Sequence, residues 1–216
     1  MRRKIAYAAA AALFFGAAAA VATTELPQLR GDRFKPLTAE EMTPEQKAMA
    51  DAVLAGPRAS LNGPFNVMLR SPDLGDRLQK VGEYVRFKTS IPPRLNELAI
   101  LVTARAWTAQ YEWYAHYQYA MKAGVPPAVA EDIAAGKRPT KMEGDEAIVY
   151  NFTRELIDTK QVGDATFSAV KDKFGERGVV DLIGLIGYYH TVSMLLNVDR
   201  YPLPEGVKPP LQALNR

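Results

Sequence analysis

Cysteine is absent from this 216-residue chain, and histidine occurs only twice. Without cysteine the protein can form no disulfide bond, no thiolate metal site, no thiol nucleophile and no lipid-modified cysteine anchor. Sulfur redox chemistry is therefore excluded. Any site that depends on an imidazole must use His116 or His190.

Net charge is also nearly absent once the N-terminus is set apart. The chain begins with Arg2, Arg3 and Lys4, followed by an alanine-rich apolar run that ends in the small-x-small sequence of residues 20–22. This pattern predicts a signal peptide over residues 1–22 and a periplasmic or secreted protein, with an uncleaved membrane anchor as the alternative. Cleavage removes three of the 27 basic residues and none of the 24 acidic ones, which leaves 24 against 24. We therefore expect neither a nucleic-acid partner nor stable membrane insertion of the mature chain.

Sustained strand-type alternation of apolar and polar residues is missing, as are a glycine-rich phosphate loop and a repeat of solenoid length. Helical signals are frequent instead. In the clearest of them, Thr43 is suited to be an N-cap, Pro44 to be the first helical residue and Gln46 to complete a capping box. The predicted fold class is therefore all-α. The expected helices cover about 44–55, 73–87, 93–107, a segment that continues this helix or begins the next and runs to 122, 126–135, 143–159, 163–174 and 176–197.

The two ends of the mature chain contain proline, and this composition predicts little helix in either of them. Residues 23–38 are polar and are expected to form an extended arm, which wraps a neighbour or stays mobile, ahead of the first helix. Residues 201–216 are rich in proline and are expected to pack as an extended strap.

Glu112 and His116 stand four residues apart in the aromatic stretch WTAQYEWYAHY, residues 107–117. Positions four apart share a helix face, so the carboxylate and the imidazole can hydrogen-bond. A carboxylate beside a half-buried imidazole fixes its tautomer and gives a proton carrier that works near neutral pH. Taken alone, however, this spacing is more often a solvated surface pair or a structural histidine.

Four further residues are candidates for the same site. Glu97 lies in the strongly apolar segment 93–107 and is a candidate buried carboxylate that needs a partner. Tyr119 and Trp113 lie on or beside the helix stripe of the Glu-His pair, and His190 could reach the site from the last helix. Each of these three is also typical of ordinary core packing.

Glu97, Glu112, His116 and His190 would also make a plausible set of metal ligands. Di-iron helix bundles use Glu-x-x-His twice, however, and zincins use His-Glu-x-x-His. Neither spacing is present in the chain. We therefore expect no metal and no other cofactor, and a metal-assisted enzyme remains an alternative.

The segment PPRLNELAILVTARAWTAQYEWYAHYQYAMKAG, from Pro92 to Gly124, resembles the carboxymuconolactone decarboxylase superfamily, which includes the alkylhydroperoxidase D proteins. The resemblance covers about residues 63–200, which are taken as one helical domain after an N-terminal arm and helix at 23–62. It implies a compact multi-helix bundle of the alkylhydroperoxidase D-like type. It also implies a homo-oligomer, a trimer or a hexamer, with the site where the core helices meet.

The peroxidase branch of that superfamily combines a Glu, a Cys-x-x-Cys pair and a His in one proton relay. On this chain the Glu falls on Glu97 and the His on His116, whereas the two cysteine positions fall on Ala109 and Glu112. The resemblance therefore implies that the proton-handling groups are kept while both thiols are missing. A thiol peroxidase is excluded.

The decarboxylase branch has a segment that looks like Glu-aromatic-x-x-x-His or a close variant, to which the stretch from Glu112 to His116 is similar. The resemblance implies a cofactor-free lyase or isomerase that uses acid/base chemistry on a small lactone or cyclic carboxylic acid. In that interpretation His116 is the acid, held by Glu112, and Glu97 orients it or exchanges protons with it.

Arg105 and Arg86 are the candidates for binding the substrate carboxylate, with Tyr119, Trp113 and His190 as further substrate contacts. Two features depart from the decarboxylase branch, namely the predicted export and the additional N-terminal and C-terminal segments. The alternative is a non-catalytic ligand-binding or assembly protein with the same fold. Its apolar pocket would be lined by the aromatic residues Trp113, Tyr114, Tyr117 and Tyr119.

Overall fold

The computed structural model describes residues 29–213. Within this range the chain forms eight α-helices and no β-strand, which confirms the all-α fold class. The predicted signal peptide, residues 1–22, lies outside the described residues. In chain order the helices are α1 Pro44–Ala55, α2 Phe65–Met68, α3 Pro72–Phe87, α4 Pro93–Ala106, α5 Gln110–Ala123, α6 Pro127–Ala134, α7 Gly144–Thr159 and α8 Asp164–Asp199.

The start of α1 confirms the predicted capping box. The Thr43 hydroxyl accepts a hydrogen bond from the Gln46 backbone N–H, and the Gln46 side-chain oxygen accepts one from the Thr43 backbone N–H. Two N–H groups that a helix start leaves unpaired are thereby satisfied. Proline opens α3, α4 and α6 as well, where its fixed φ and missing N–H cost nothing.

Helix α4 runs through the centre of the protein. Every residue from Leu95 to Arg105 is buried, and the helix packs chiefly against α5, α7 and α8. This confirms the expectation of a buried helix in this segment. A carboxylate on α4 must therefore find a partner inside the protein.

The junction of α4 and α5 is a tight break between two separate helices. Thr108 has a φ of 48°, in the left-handed region that continues no helix, and the Ala109 N–H bonds back to the Ala104 carbonyl. Helix α5 ends as predicted at Gly124, whose φ of 93° forms a left-handed cap. Glu97 and the Glu112–His116 pair therefore lie on two helices that pack against each other.

Helix α8 contains both of the last two predicted helices. It bends at Gly175, where φ is 71°, at the predicted boundary between them. Of the described helices, α8 alone is long and apolar enough to cross a membrane by length and composition, and 56% of its most apolar window is buried inside the protein. Such burial is typical of a core helix.

Both ends of the described chain pack onto the helices. The Asp199 carboxylate accepts hydrogen bonds from the backbone N–H groups of Asp32 and Phe34, at 3.3 and 2.9 Å. At the other end, Leu211 is buried and exchanges two hydrogen bonds with the Gln110 side chain. The first described residues therefore pack on α8 of their own chain.

A charged cluster joins the start of α4 to the start of α7. Arg94 donates hydrogen bonds to both Asp145 oxygens, at 3.0 and 3.1 Å, and to the fully buried Glu146 carboxylate. Hydrogen bonds between ionised groups are the strong ones, particularly when one partner is shielded from water. This cluster fixes the end of α4 that carries Glu97.

Candidate active site

The His116 imidazole lies between two carboxylates. Its Nδ1 atom is 2.7 Å from Glu97 Oε2, and its Nε2 atom is 3.2 Å from Glu112 Oε1. The three residues are 5%, 7% and 3% exposed, respectively. The structure therefore brings together all three residues predicted to be catalytic.

The two carboxylates hold the ring in different ways. The contact between Glu97 and Nδ1 is a hydrogen bond, whereas the contact between Glu112 and Nε2 is close but poorly aligned. Glu112 Oε1 has no aligned hydrogen-bond partner. Both predicted carboxylates therefore contact the ring, Glu97 on α4 through an aligned hydrogen bond and Glu112 through a close contact at the other nitrogen.

Burial sets the protonation of Glu112. The loss of water around this carboxyl raises its pKa above the ordinary value, and the nearby charge of His116 and Arg86 only partly opposes the increase. The negative charge of Glu97 acts in the same direction as burial. Glu112 therefore keeps its proton to a higher pH than an exposed glutamate does, which suits a group that supplies a proton.

A cavity of about 170 Å³ opens beside Glu112 and His116. A cavity of roughly 150 Å³ in another protein takes up one benzene molecule, so this space suits a ligand with a single small ring. Glu97 does not line the cavity and lies behind His116. The lining residues are Arg58, Ser60, Asn62, Gly63, Pro64, Phe65, Arg86, Tyr111, Glu112, Ala115, His116, Tyr119, Tyr188, Tyr189 and Val192.

Tyrosine rings pack around the imidazole. The centroid of Tyr189 is 4.9 Å and that of Tyr119 is 5.6 Å from the centroid of His116, both edge to face. Burial raises the pKa of Tyr189 well above its ordinary value and raises that of Tyr188 as well. Both phenols therefore stay neutral and can donate a hydrogen bond into the cavity.

Two arginines give the cavity positive charge. The Arg86 guanidinium lies 4.4 Å from the centre of the Tyr119 ring. Burial opposes its charge, but the neighbouring Tyr189 and Glu97 raise its pKa above the usual value, so that it stays cationic. The other arginine is Arg58, in the turn between α1 and α2. Among the described residues neither arginine forms an ion pair.

Three predicted substrate-binding residues lie away from this cavity. Arg105 is buried on another side of α4, where its Nη1 donates a long 3.4 Å hydrogen bond to Thr108. Trp113 stacks on Tyr117 along an apolar groove. His190 accepts a hydrogen bond from the Trp107 indole N–H. Of the predicted contacts, only Arg86 and Tyr119 line the cavity.

The lining residues that were missed from the sequence include Arg58, Tyr188 and Tyr189. The two tyrosines adjoin His190, and the Gly-Tyr-Tyr-His sequence drew attention to the histidine in place of the phenols. Arg58 lies in a turn, where no helical periodicity in the sequence indicates the direction of a side chain.

Carboxylates and imidazoles in residues 29–213 do not form a group of three or more that is arranged to hold a metal ion. Both nitrogens of His116 already face carboxylates. Such an arrangement can act as a general acid/base, because an imidazole held at one nitrogen by a buried carboxylate can take up a proton at the other nitrogen and release it there again.

Fold and site together define an all-α protein in which a carboxylate–imidazole–carboxylate set faces a small cationic cavity. Residues 72–142 match the model of the carboxymuconolactone decarboxylase family, and neither this segment nor the rest of the sequence contains a cysteine. The matched segment runs from the start of α3 to the loop before α7 and contains Arg86, Glu97, Glu112 and His116. No protein with curated function matches the chain by sequence.

Proposed function

We propose that the protein is an enzyme that uses general acid/base chemistry, without a cofactor, on a small lactone or cyclic carboxylic acid. The reaction class is decarboxylation or a proton-shift isomerisation. One observation carries the proposal, namely the position of His116 between Glu97 and Glu112 at the wall of a cavity sized for one ring. The match of residues 72–142 to the carboxymuconolactone decarboxylase family supports the reaction class.

In the decarboxylation, the bond between a ring carbon and the substrate carboxylate breaks and carbon dioxide leaves. The electron pair of that bond is delocalised into the lactone carbonyl, as a dienolate. A proton from the protein is then added to carbon, and solvent restores it. In the isomerisation no group leaves, and the protein removes a proton from one carbon and returns it to another.

Each residue has a distinct part in this chemistry. His116 carries the proton, Glu97 orients its ring from behind, and Glu112 holds a second proton at the cavity wall. Arg86 and the neutral Tyr189 hydroxyl supply positive charge and a hydrogen-bond donor for the developing dienolate. Charge that is placed in advance in a site largely shielded from water stabilises such an intermediate more than water does.

Turnover of unsaturated lactone carboxylates and cyclic enone acids by His116→Gln tests the proposal. Loss of a general acid/base group lowers the rate by roughly 10²- to 10⁴-fold. His190→Gln is the matched control, because it removes the other histidine, which lies outside the cavity. Wild-type rates in a folded His116→Gln protein would contradict the proposal.

A non-catalytic binding protein is the second candidate. It is favoured by a separate groove of about 320 Å³, lined mainly by Trp113, Tyr114, Tyr117 and Pro210. If the protein only binds a ligand, an apolar ligand should cover these aromatic rings and shield them from solvent. His116→Gln should then change neither ligand binding nor turnover. A metal-assisted enzyme is the third, and elemental analysis of untagged protein would support it only if the metal were stoichiometric and required for activity.

We further propose that the chain is exported with removal of residues 1–22 and that it works as a homotrimer or homohexamer. The basic start and the small-x-small end of this segment support export. Mass spectrometry of protein from the periplasm or medium should find Thr23 as the first residue. Light scattering of the mature protein should give three or six times the chain mass.

A further inference from the structure

We propose that Arg58, which lies outside the family-matching segment, binds the carboxylate of the substrate. This assignment rests on the function proposed for the cavity and adds a specificity-determining residue to it. Arg86 then lies at the proton-transfer end, beside Tyr119 and His116. The family match covers residues 72–142, so the anion-binding group comes from the N-terminal part of the chain.

The Arg58 guanidinium is held by aromatic rings and not by an acid. Its central carbon lies 5.7, 5.8 and 5.9 Å from the ring centres of Phe65, Phe87 and Tyr188. Among the described residues it has no carboxylate partner, and its one side-chain hydrogen bond is a long 3.5 Å contact to the Tyr188 hydroxyl. Aromatic faces hold a cation in place without neutralising it.

One Arg58 nitrogen is left without a partner in the free protein. Its Nη1 atom is buried and makes no hydrogen bond. A buried donor without an acceptor is unfavourable, and a charged one more so. A carboxylate entering the adjoining cavity would supply both the acceptor and the counter-charge, in the two-pronged geometry that a guanidinium favours.

The backbone beside Arg58 is held in an uncommon conformation. Ala59 has a φ of 47°, a left-handed value that is unfavourable for a residue with a Cβ. Its N–H bonds to the Gly56 carbonyl at 3.2 Å and closes the turn. Such conformations persist where the surroundings enforce them, frequently at ligand sites.

Gly82 on α3 leaves the space in which the guanidinium lies. A Cβ at this position would overlap the ring carbon and the hydroxyl of Tyr188 and would come within 2.5 Å of Arg58 Nη2. Because a helix interior generally disfavours glycine, this close approach gives a physical reason for glycine here. Gly82→Ala should therefore displace the Tyr188 ring and, with it, the Arg58 guanidinium.

The test compares two probes of one shape, 2-furoate and its neutral analogue 2-furamide, by titration calorimetry on the mature protein. Wild type should bind furoate more tightly than furamide. Arg58→Met should weaken furoate binding by roughly 10-fold or more, the effect of losing one hydrogen bond to a charged group, and leave furamide unchanged. Arg58→Lys should restore only part of the affinity, because lysine keeps the positive charge but lacks the planar, two-pronged guanidinium group.

Two further variants separate the effect of the position of Arg58 from nonspecific effects of substitution on the protein. Gly82→Ala, which should displace Tyr188 and Arg58 together, should also lose furoate binding with the Arg58 side chain still present. Arg77→Met, at an exposed position on the same helix, should bind furoate like wild type. Equal furoate affinity in folded Arg58→Met and wild type, or no preference of wild type for furoate over furamide, would overturn the assignment.

His116→Gln keeps this test apart from the proposed function. If furoate binding depends on Arg58 while turnover does not depend on His116, the cavity binds carboxylates and the acid/base proposal fails. If turnover depends on His116 while furoate binding does not depend on Arg58, the acid/base proposal stands and the Arg58 assignment fails.

Discussion

Glu97 on α4 and His116 on α5 meet through a 2.7 Å hydrogen bond between Oε2 and Nδ1. Both side chains are buried, so water does not compete for this bond. Nε2 is left as the ring nitrogen beside Glu112 and the cavity. The orientation of the imidazole is therefore set by a residue that does not line the cavity.

Glu97→Gln should lower turnover by about 10²-fold or more, because an amide in place of the carboxylate can stabilise the wrong tautomer. As a positioning residue, Glu97 should also change the ring itself. Nitrogen NMR of the wild type should show His116 protonated at Nδ1, with slow exchange of that proton, and Glu97→Gln should remove this signature. Glu176→Gln, an exposed change on α8, serves as the control. An unchanged tautomer together with unchanged turnover would contradict the role.

Glu112→Gln should stabilise the folded protein increasingly as the pH rises. The raised pKa means that Glu112 binds its proton more tightly folded than unfolded. This proton adds to stability below the ordinary carboxyl range, and the contribution is lost as the pH rises through the folded-state value. Urea unfolding of both proteins from acidic to mildly alkaline pH checks this. A difference in the free energy of unfolding that is independent of pH would refute the burial argument.

Arg94→Met should lower the free energy of unfolding by about 1–3 kcal/mol, because it leaves the fully buried Glu146 carboxylate without its counter-charge. Arg77→Met is the matched control. Its ion pair with Asp73 is largely exposed, so the change should stay within about 0.5 kcal/mol. Denaturant unfolding of the three proteins measures both values, and equal effects would show that the cluster joining α4 to α7 contributes no more than a surface pair.

Asp199→Ala should release the N-terminal arm from α8. The carboxylate is fully buried and accepts from the backbone of Asp32 and Phe34, so its loss should cost about 1–3 kcal/mol. Trypsin should then cut faster at Arg30 and Arg33 than in wild type. Asp172→Ala, at an exposed position on α8, should leave both stability and cleavage as they are. Unchanged cleavage in Asp199→Ala would show that other contacts hold the arm.

Most of the helices could be predicted because their ends carry strong local signals. The capping residues Thr43 and Gln46, the prolines that open several helices, and Gly124 at the end of α5 act within a few residues of the chain. Gly175 marked the bend in α8 for the same reason. Such signals do not depend on the tertiary packing.

The candidate site could be predicted only in part. Helix spacing placed Glu112 beside His116, the apolar surroundings of Glu97 marked it as a buried carboxylate, and the family resemblance connected it with His116. Arg105 was misplaced because α4 is buried on every side, so a polar residue on it has no distinctive face. Arg58 was missed because only the packing of the turn before α2 onto α3 and α8 brings it to the cavity.

The most direct test of proton transfer by His116 is to follow an unsaturated lactone carboxylate in D₂O by NMR. Wild type should release carbon dioxide and place deuterium on a ring carbon of the product, or, for an isomerisation, place deuterium without release. The folded His116→Gln protein should carry out either reaction at least roughly 10²-fold more slowly, whereas His190→Gln should match the wild type. Equal deuteration by His116→Gln and wild type would contradict the account.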